Sequence, residues 1–244
     1  MCIRDRYVTT GYNPDQKYLS DTWEYNPETN SWRQMDDFKG GARYYAIGFG
    51  IDNYGYVGTG YNDNYLKDFY RFDPTAAAGS QWTIVNGFGG QKRQGGTAFV
   101  IDGKAYVCGG QNNNSDVSDF WCFDPSAATP WTQLRDIANT SDDDYDDDYT
   151  SIVRSYGVSF VIDGKAYLTL GSTAGGSYYS NYWIYDPATD LWEGDDLTAF
   201  EGSTRIHAVC FSTGTRGIVA TGGSGSSSYF DDTWELKPYE YEEE

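Results

Sequence analysis

Five copies of one phrase run through the 244 residues of this chain and leave little freedom in how it folds. Each copy is a strand of small and apolar residues ending in Gly, then a polar loop, then an Asp or Asn leading an aromatic-x-aromatic strand that closes on Pro. The copies read YVTTG…DTWEYNP (Tyr7 to Pro27), YVGTG…DFYRFDP (Tyr56 to Pro74), YVCGG…DFWCFDP (Tyr106 to Pro125), YLTLG…NYWIYDP (Tyr167 to Pro187) and IVATG…DTWELKP (Ile218 to Pro238). The aligned glycines Gly11, Gly60, Gly110, Gly171 and Gly222 stand 49, 50, 61 and 51 residues apart. Self-similarity at a period of about fifty means one supersecondary unit repeated, each burying its apolar face against the next.

Beyond the Pro, four copies continue to a Trp (Trp32, Trp82, Trp131, Trp192) and then an Arg (Arg43, Arg93, Arg154, Arg205) that opens the next apolar run. Asp102-Gly103 and Asp163-Gly164 sit between such runs and suit two-residue hairpins, because both turn residues must reach positive φ. Four strands per unit follow: the first after the Arg, the second ending at the Gly, the third the aromatic-x-aromatic run, the fourth carrying the Trp. Four short antiparallel strands at this period mark a propeller blade, so an all-β propeller with five recognisable blade units is expected. The units fall near residues 7–42, 43–92, 93–153, 154–204 and 205–238, with residues 1–6 a leader foreign to the fold and 239–244 an acidic tail. VIDGKAY recurs unchanged at Val100 to Tyr106 and Val161 to Tyr167.

The combination of an Arg, a Gly doublet, an aromatic-x-Tyr-Asp-Pro strand and a following Trp resembles the kelch repeat, over residues 7 to 238. The chain departs from that pattern where the doublet survives only as Gly109-Gly110 and Gly222-Gly223, and where Leu236 and Lys237 replace Tyr-Asp. The resemblance implies four-stranded blades around a central channel and functions from protein docking to sugar chemistry, between which fold does not choose. Tyr7 is in strand-2 register with Tyr56, and the last unit ends without a strand 4. An added stretch bearing a strand 4 and a strand 1 would mend both ends, making the parent five-bladed and short of roughly 30 residues, or six-bladed and short of roughly 80. The kelch resemblance favours six.

Aromatic residues are 18% of the chain, with 29 Gly and 23 Tyr, which suits aromatic-packed sheet joined by tight turns. Seventeen basic against 36 acidic residues give a net charge of -19, so nucleic acid and anionic membrane surfaces are repelled and are not expected as partners. No apolar run reaches transmembrane length. Cys2, Cys108, Cys122 and Cys210 lack metal-ligand spacing and read as core-filling thiols, with a Cys108–Cys122 bridge conceivable between neighbouring strands. The surface, rich in Asn, Tyr, Gly and Asp, resembles that of bacterial periplasmic or cell-surface kelch proteins.

In an antiparallel blade the 1–2 and 3–4 turns share one end, and the 2–3 and 4–1 connections the other. The second set is long and differs in every copy, and variable loops on a rigid scaffold are where binding resides. Arg43, Arg93, Arg154 and Arg205 open strand 1 at that end, where they could grip a carboxylate or an acidic peptide. A repeat-wide arginine can equally serve the scaffold, pairing with backbone carbonyls or a neighbouring acid. Tyr12, Tyr61, Tyr65, Tyr178, Tyr179 and Tyr229 offer apolar faces and polar tips to a sugar or peptide, or else pack their own loops. Ser141 to Tyr149, SDDDYDDDY, reads as a Ca²⁺ collector or, lacking the Gly and terminal Glu of an EF-hand loop, as a solvated acidic flap.

No catalytic residue, metal or cofactor is expected. The copper site of a kelch-like galactose oxidase needs two His, and this chain has one, His207, which reads as a hydrogen-bonded wall residue. Gly-x-Ser-x-Gly, phosphate-loop and His-Cys motifs are absent. The expected function is therefore a non-catalytic binding module for a protein, peptide or glycan. The alternative is a metal-independent sugar-active enzyme such as a sialic acid mutarotase, which would set an acid–base group opposite an arginine.

Overall fold

The computed structural model describes residues 6–194, 198–225 and 227–238. The expected acidic tail, Cys2 and the leader up to residue 5 lie outside the described residues. Arg6 opens the first strand opposite Tyr25, so that boundary moves back by one residue.

Among the described residues, five antiparallel sheets of three or four strands, the blades of a β-propeller, occur in two compact units, Met1–Gln94 and Gly95–Glu244, with two further two-stranded hairpins in the second. The first unit holds a three-stranded blade (Arg6–Asn13, Lys17–Asn26, Ser31–Gln34) and a four-stranded one (Ile47–Ile51, Tyr54–Gly58, Phe69–Phe72, Trp82–Val85). The second holds two four-stranded blades, Thr97–Ile101, Lys104–Cys108, Trp121–Phe123, Trp131–Gln133 and Val158–Ile162, Lys165–Thr169, Trp183–Asp186, Leu191–Glu193. A three-stranded blade, Val209–Ser212, Gly217–Ala220 and Thr233–Leu236, completes it. Among the described residues the only helical segment is a 3-10 turn, Asp144–Asp146, so none is long and apolar enough to cross a membrane.

The turn chemistry explains the repeated letters. Asp102 (φ 48°) with Gly103 (74°), and Asp163 (48°) with Gly164 (78°), make the two-residue turns with both residues left-handed. At the 3–4 corners the Asp or Asn before Pro folds back on the chain: Asp73 Oδ1 accepts the Thr75 N–H, and Asp124 Oδ1 the Ser126 N–H, both at 2.9 Å. The lysine of each VIDGKAY copy reaches the same corner of its own blade, Lys104 to Asp124 at 3.1 Å and Lys165 to Asp186 at 2.9 Å.

The aligned glycines tie the end of strand 2 to the repeat arginine that follows. Gly11, Gly60, Gly110 and Gly171 each donate their N–H to the carbonyl of the next repeat arginine, Arg43, Arg93, Arg154 and Arg205, at 2.8–3.0 Å. Reaching it takes two consecutive left-handed residues, at φ 58° and 93° for Thr59-Gly60, 63° and 90° for Gly109-Gly110, 62° and 95° for Thr221-Gly222. The doublet of the last blade is thus Thr221-Gly222 in conformation, not Gly222-Gly223. A non-glycine residue there carries about 1–2 kcal/mol of left-handed strain. Thr221 is exposed, so Thr221→Gly is expected to stabilise the protein by about 1 kcal/mol in urea unfolding, and a loss of stability would refute this account of the doublet.

Strand 1 begins four residues after each repeat arginine, at Ile47, Thr97, Val158 and Val209, rather than at the arginine itself. The chain turns between them at Tyr45, Gly95, Tyr156 and His207, all left-handed, with φ of 54°, 63°, 58° and 59°. The cores are aromatic: in the second unit Phe120, Tyr185 and Trp192 pack with ring centroids 4.9–5.6 Å apart, and in the first Phe38, Phe72 and Trp82 form the buried cluster. Offset and edge-on ring pairs of this kind add about 0.5–1.5 kcal/mol each beyond their burial. Cys108, Cys122 and Cys210 are free thiols. Cys122 stands opposite Tyr106 across the sheet, two residues out of step with Cys108, which removes the conceivable bridge.

Candidate functional site: a tyrosine cleft

The four repeat arginines lie inside the blades. Each is wholly buried. Arg43 donates to the carbonyls of Gly40, Gly41 and Thr59 and forms a two-pronged pair with Asp68, at 2.6 and 2.9 Å. Arg205 repeats this with the Ser203 and Thr221 carbonyls and both oxygens of Asp232. Arg154 donates to the carbonyls of Ile152, Leu170 and Ser151 and to Asn181 Oδ1 at 3.1 Å. Arg93 donates from Nε to Gln91 O at 3.1 Å and stacks over Phe88. For Arg43, Arg154 and Arg205 the Asp or Asn leading strand 3 is thus the arginine's partner within the blade. A ligand in solvent does not meet these guanidinium groups, so the candidate contact with acidic ligands gives way to a scaffold role: five fixed N–H donors satisfy carbonyls that the left-handed turns leave unpaired.

The blade with Asn181 lacks the carboxylate. Burial pulls the Arg154 guanidinium down to about 10, whereas Asp232, hydrogen-bonded by Arg205, is held down at about 2. Asn181→Asp is expected to raise the melting temperature at pH 7. The new carboxylate would titrate below its unfolded value of about 3.9, so the gain should be present above that pH and vanish as the pH falls through its lowered folded value. A gain that persists at pH 2, or none at pH 7, would contradict the pairing.

Three of the six candidate tyrosines come together in the first unit. The long hairpin Arg6–Asn13/Lys17–Asn26 carries Tyr12 and Tyr18, paired across it, past the reach of the third strand, helped by Asn13 Oδ1, which accepts the N–H groups of Asp15 and Gln16. Arg43 bridges to Leu19, and Tyr44 exchanges backbone hydrogen bonds with Tyr61 at 2.9 and 3.1 Å, which inserts Tyr44 between two 2–3 loops. The result is a continuous set of six rings. Tyr18 and Tyr44 stack at 5.6 Å and 16°, Tyr12 lies 5.6 Å from Tyr44, Tyr45 4.3 Å from Tyr44, Tyr61 5.8 Å from Tyr44, and Tyr65 5.1 Å from Tyr61. Gly11, Tyr12, Lys17, Tyr18, Tyr44 and Tyr45 line a cleft of about 550 Å³. Tyr18 donates its hydroxyl to Asp63 Oδ1 at 2.6 Å, which pushes its pKa up to about 12, and burial raises Tyr44 and Tyr45.

Sequence reasoning did not single out Tyr18, Tyr44 and Tyr45. Their signal was the adjacent pair Tyr44-Tyr45 directly after a repeat arginine, at the end where the long loops meet.

In the second unit the candidate tyrosines do not assemble. Tyr178 is half-buried and accepts the Gly225 N–H at 2.8 Å, Tyr179 lies against the Arg154 guanidinium at 4.7 Å, and Tyr229 is 82% exposed on a two-residue hairpin arm. His207 is exposed, not set in a wall, with its ring edge-on to Tyr156 at 4.6 Å. The Asp-rich stretch is anchored through Asp146, which is buried and accepts from the Thr140 and Ser141 N–H groups and the Ser141 hydroxyl at 2.9–3.0 Å. Among the described residues no three such side chains are placed to hold a metal ion.

Comparison with known proteins agrees with the architecture. A family model described as the Kelch motif matches residues 7–39 and 92–134. Kelch-like protein 15 of Danio rerio is 25% identical over 189 residues, covering 73% of this chain but only 30% of that protein's length. The solved structure of YjhT is alike in fold, with a TM-score of 0.76 over 96% of this chain and 79% of that one, at 14% identity.

Proposed function

As this chain belongs to the kelch-repeat family, whose propeller fold serves both binding modules and enzymes, we propose that it is a non-catalytic binding module. The tyrosine cleft of the first unit takes part of a protein, peptide or glycan ligand. The observation that carries this reading is the cleft itself: four tyrosine rings, Tyr12, Tyr18, Tyr44 and Tyr45, brought together by one 2–3 loop and one 4–1 segment with Tyr61 packed beside them, Tyr12 being 56% exposed and Tyr45 36%. Tyrosine combines a large rigid contact area with a hydrogen-bonding tip at low entropic cost, which is why it dominates binding surfaces. The sugar-active alternative calls for an acid–base group opposite an exposed arginine, and the four repeat arginines are buried against carbonyls and carboxylates. Single tyrosine contacts of this kind are worth about 1–2 kcal/mol, so Tyr12→Ala and Tyr44→Ala are each expected to weaken the ligand about tenfold in calorimetry against a glycan and peptide panel. Unchanged affinity in both would refute the site.

A further inference from the structure

The cleft is open to solvent, and its volume falls within the roughly 300–1,000 Å³ range of small-molecule sites. Its backbone is already occupied. The Gly11 N–H goes to Arg43 O, the Arg43 N–H to Leu19 O, and Tyr44 and Tyr61 satisfy each other in both directions. An extended peptide added as a strand would find these main-chain groups already taken. What the cleft offers is ring faces and hydroxyl tips.

Charge narrows the choice further. The Arg43 guanidinium is buried, so no two-pronged grip awaits a carboxylate. Asp63 is engaged by Tyr18, and Lys17 is the one charged side chain in the lining, which disfavours a cation. A net charge of -19 disfavours polyanions. Tyr45, meanwhile, keeps a bulky aromatic in left-handed backbone at φ 54° while remaining over a third exposed. The same left-handed turn recurs at Gly95, Tyr156 and His207 and so belongs to the repeat; what is particular to Tyr45 is a partly exposed ring set beside Tyr44.

Resting on the binding reading above, we infer that the cleft is a subsite for an uncharged saccharide, whose C–H faces lie on the rings of Tyr12 and Tyr45 while its hydroxyls meet the phenol tips and Lys17. The test is calorimetry of the full chain, Tyr45→Gly and Tyr12→Ala against neutral oligosaccharides of three to six rings, sialylated oligosaccharides and a random peptide library, with melting curves for each protein. A neutral oligosaccharide is expected to bind the parent. Tyr45→Gly should melt close to the parent, relief of the left-handed strain offsetting the lost contact with Tyr44, yet bind at least tenfold more weakly; a merely structural Tyr45 would not separate the two readouts. Tyr12→Ala, at an exposed position, should lose a similar factor without loss of fold. Binding of sialylated sugars or peptides alone would overturn the saccharide inference and leave the binding module standing. No binder of any class would overturn both, and a neutral sugar bound equally by all three proteins would overturn its placement in this cleft.

Discussion

Replacing Arg43 by Ala is expected to cost about 3–5 kcal/mol, the loss seen when one partner of a buried pair is removed. The side chain is wholly buried, and its removal strands the Gly40 and Thr59 carbonyls and the Asp68 carboxylate it pairs with. Against a total stability of roughly 5–15 kcal/mol, that leaves a marginal fold. Arg43→Lys should recover little, since a point-like ammonium cannot reach carbonyls and both carboxylate oxygens in one plane. Urea unfolding of the two variants checks this. An Arg43→Ala protein as stable as the parent would return the arginine to a ligand role.

Gly171→Ala comes next, with an expected loss of about 3 kcal/mol from left-handed strain and overpacking together. The glycine sits at φ 87°, and a Cβ there would stand 2.6 Å from the Ser155 carbonyl oxygen and 2.8 Å from the Gly157 nitrogen. Both neighbours are backbone and cannot swing aside. The variant should also lose the Gly171 N–H bond to the Arg205 carbonyl, loosening the end of strand 2 from the repeat arginine that follows. A melting temperature within a degree of the parent would mean the doublet is not the link described.

The blades were legible because their determinants are local: Asp-Gly fixes the 1–2 hairpin, Asp-Pro followed by Ser or Thr the 3–4 corner, and the aromatic-x-aromatic spacing strand 3. The arginines show where legibility ends. One residue type at one repeat position is compatible with a binding array or with a scaffold, and only the exposure of Arg43, Arg93, Arg154 and Arg205 separates the two. The tyrosine cluster was half visible. Tyr12, Tyr61 and Tyr65 stand in loops that variability marks out, whereas Tyr44 and Tyr45 enter through a left-handed turn after Arg43, and Tyr18 through a stacking contact 26 residues distant in sequence. Contacts of that span carry no local signature. The shift of the doublet to Thr221-Gly222 escaped for a similar reason, since threonine gives no hint of positive φ.

The central claim is that ligand sits on the tyrosine cleft, and hydroxyl-radical footprinting of the protein with and without the tightest ligand of the panel tests it most directly. Tyr12 and Tyr45 are exposed in the free protein, as are Trp32 in the first unit and Tyr229 in the second, which serve as internal references. Protection confined to Tyr12, Tyr44 and Tyr45, with Trp32 and Tyr229 oxidised as before, is the expected result. Protection of Tyr229 with Tyr12 and Tyr45 still fully reactive would contradict it.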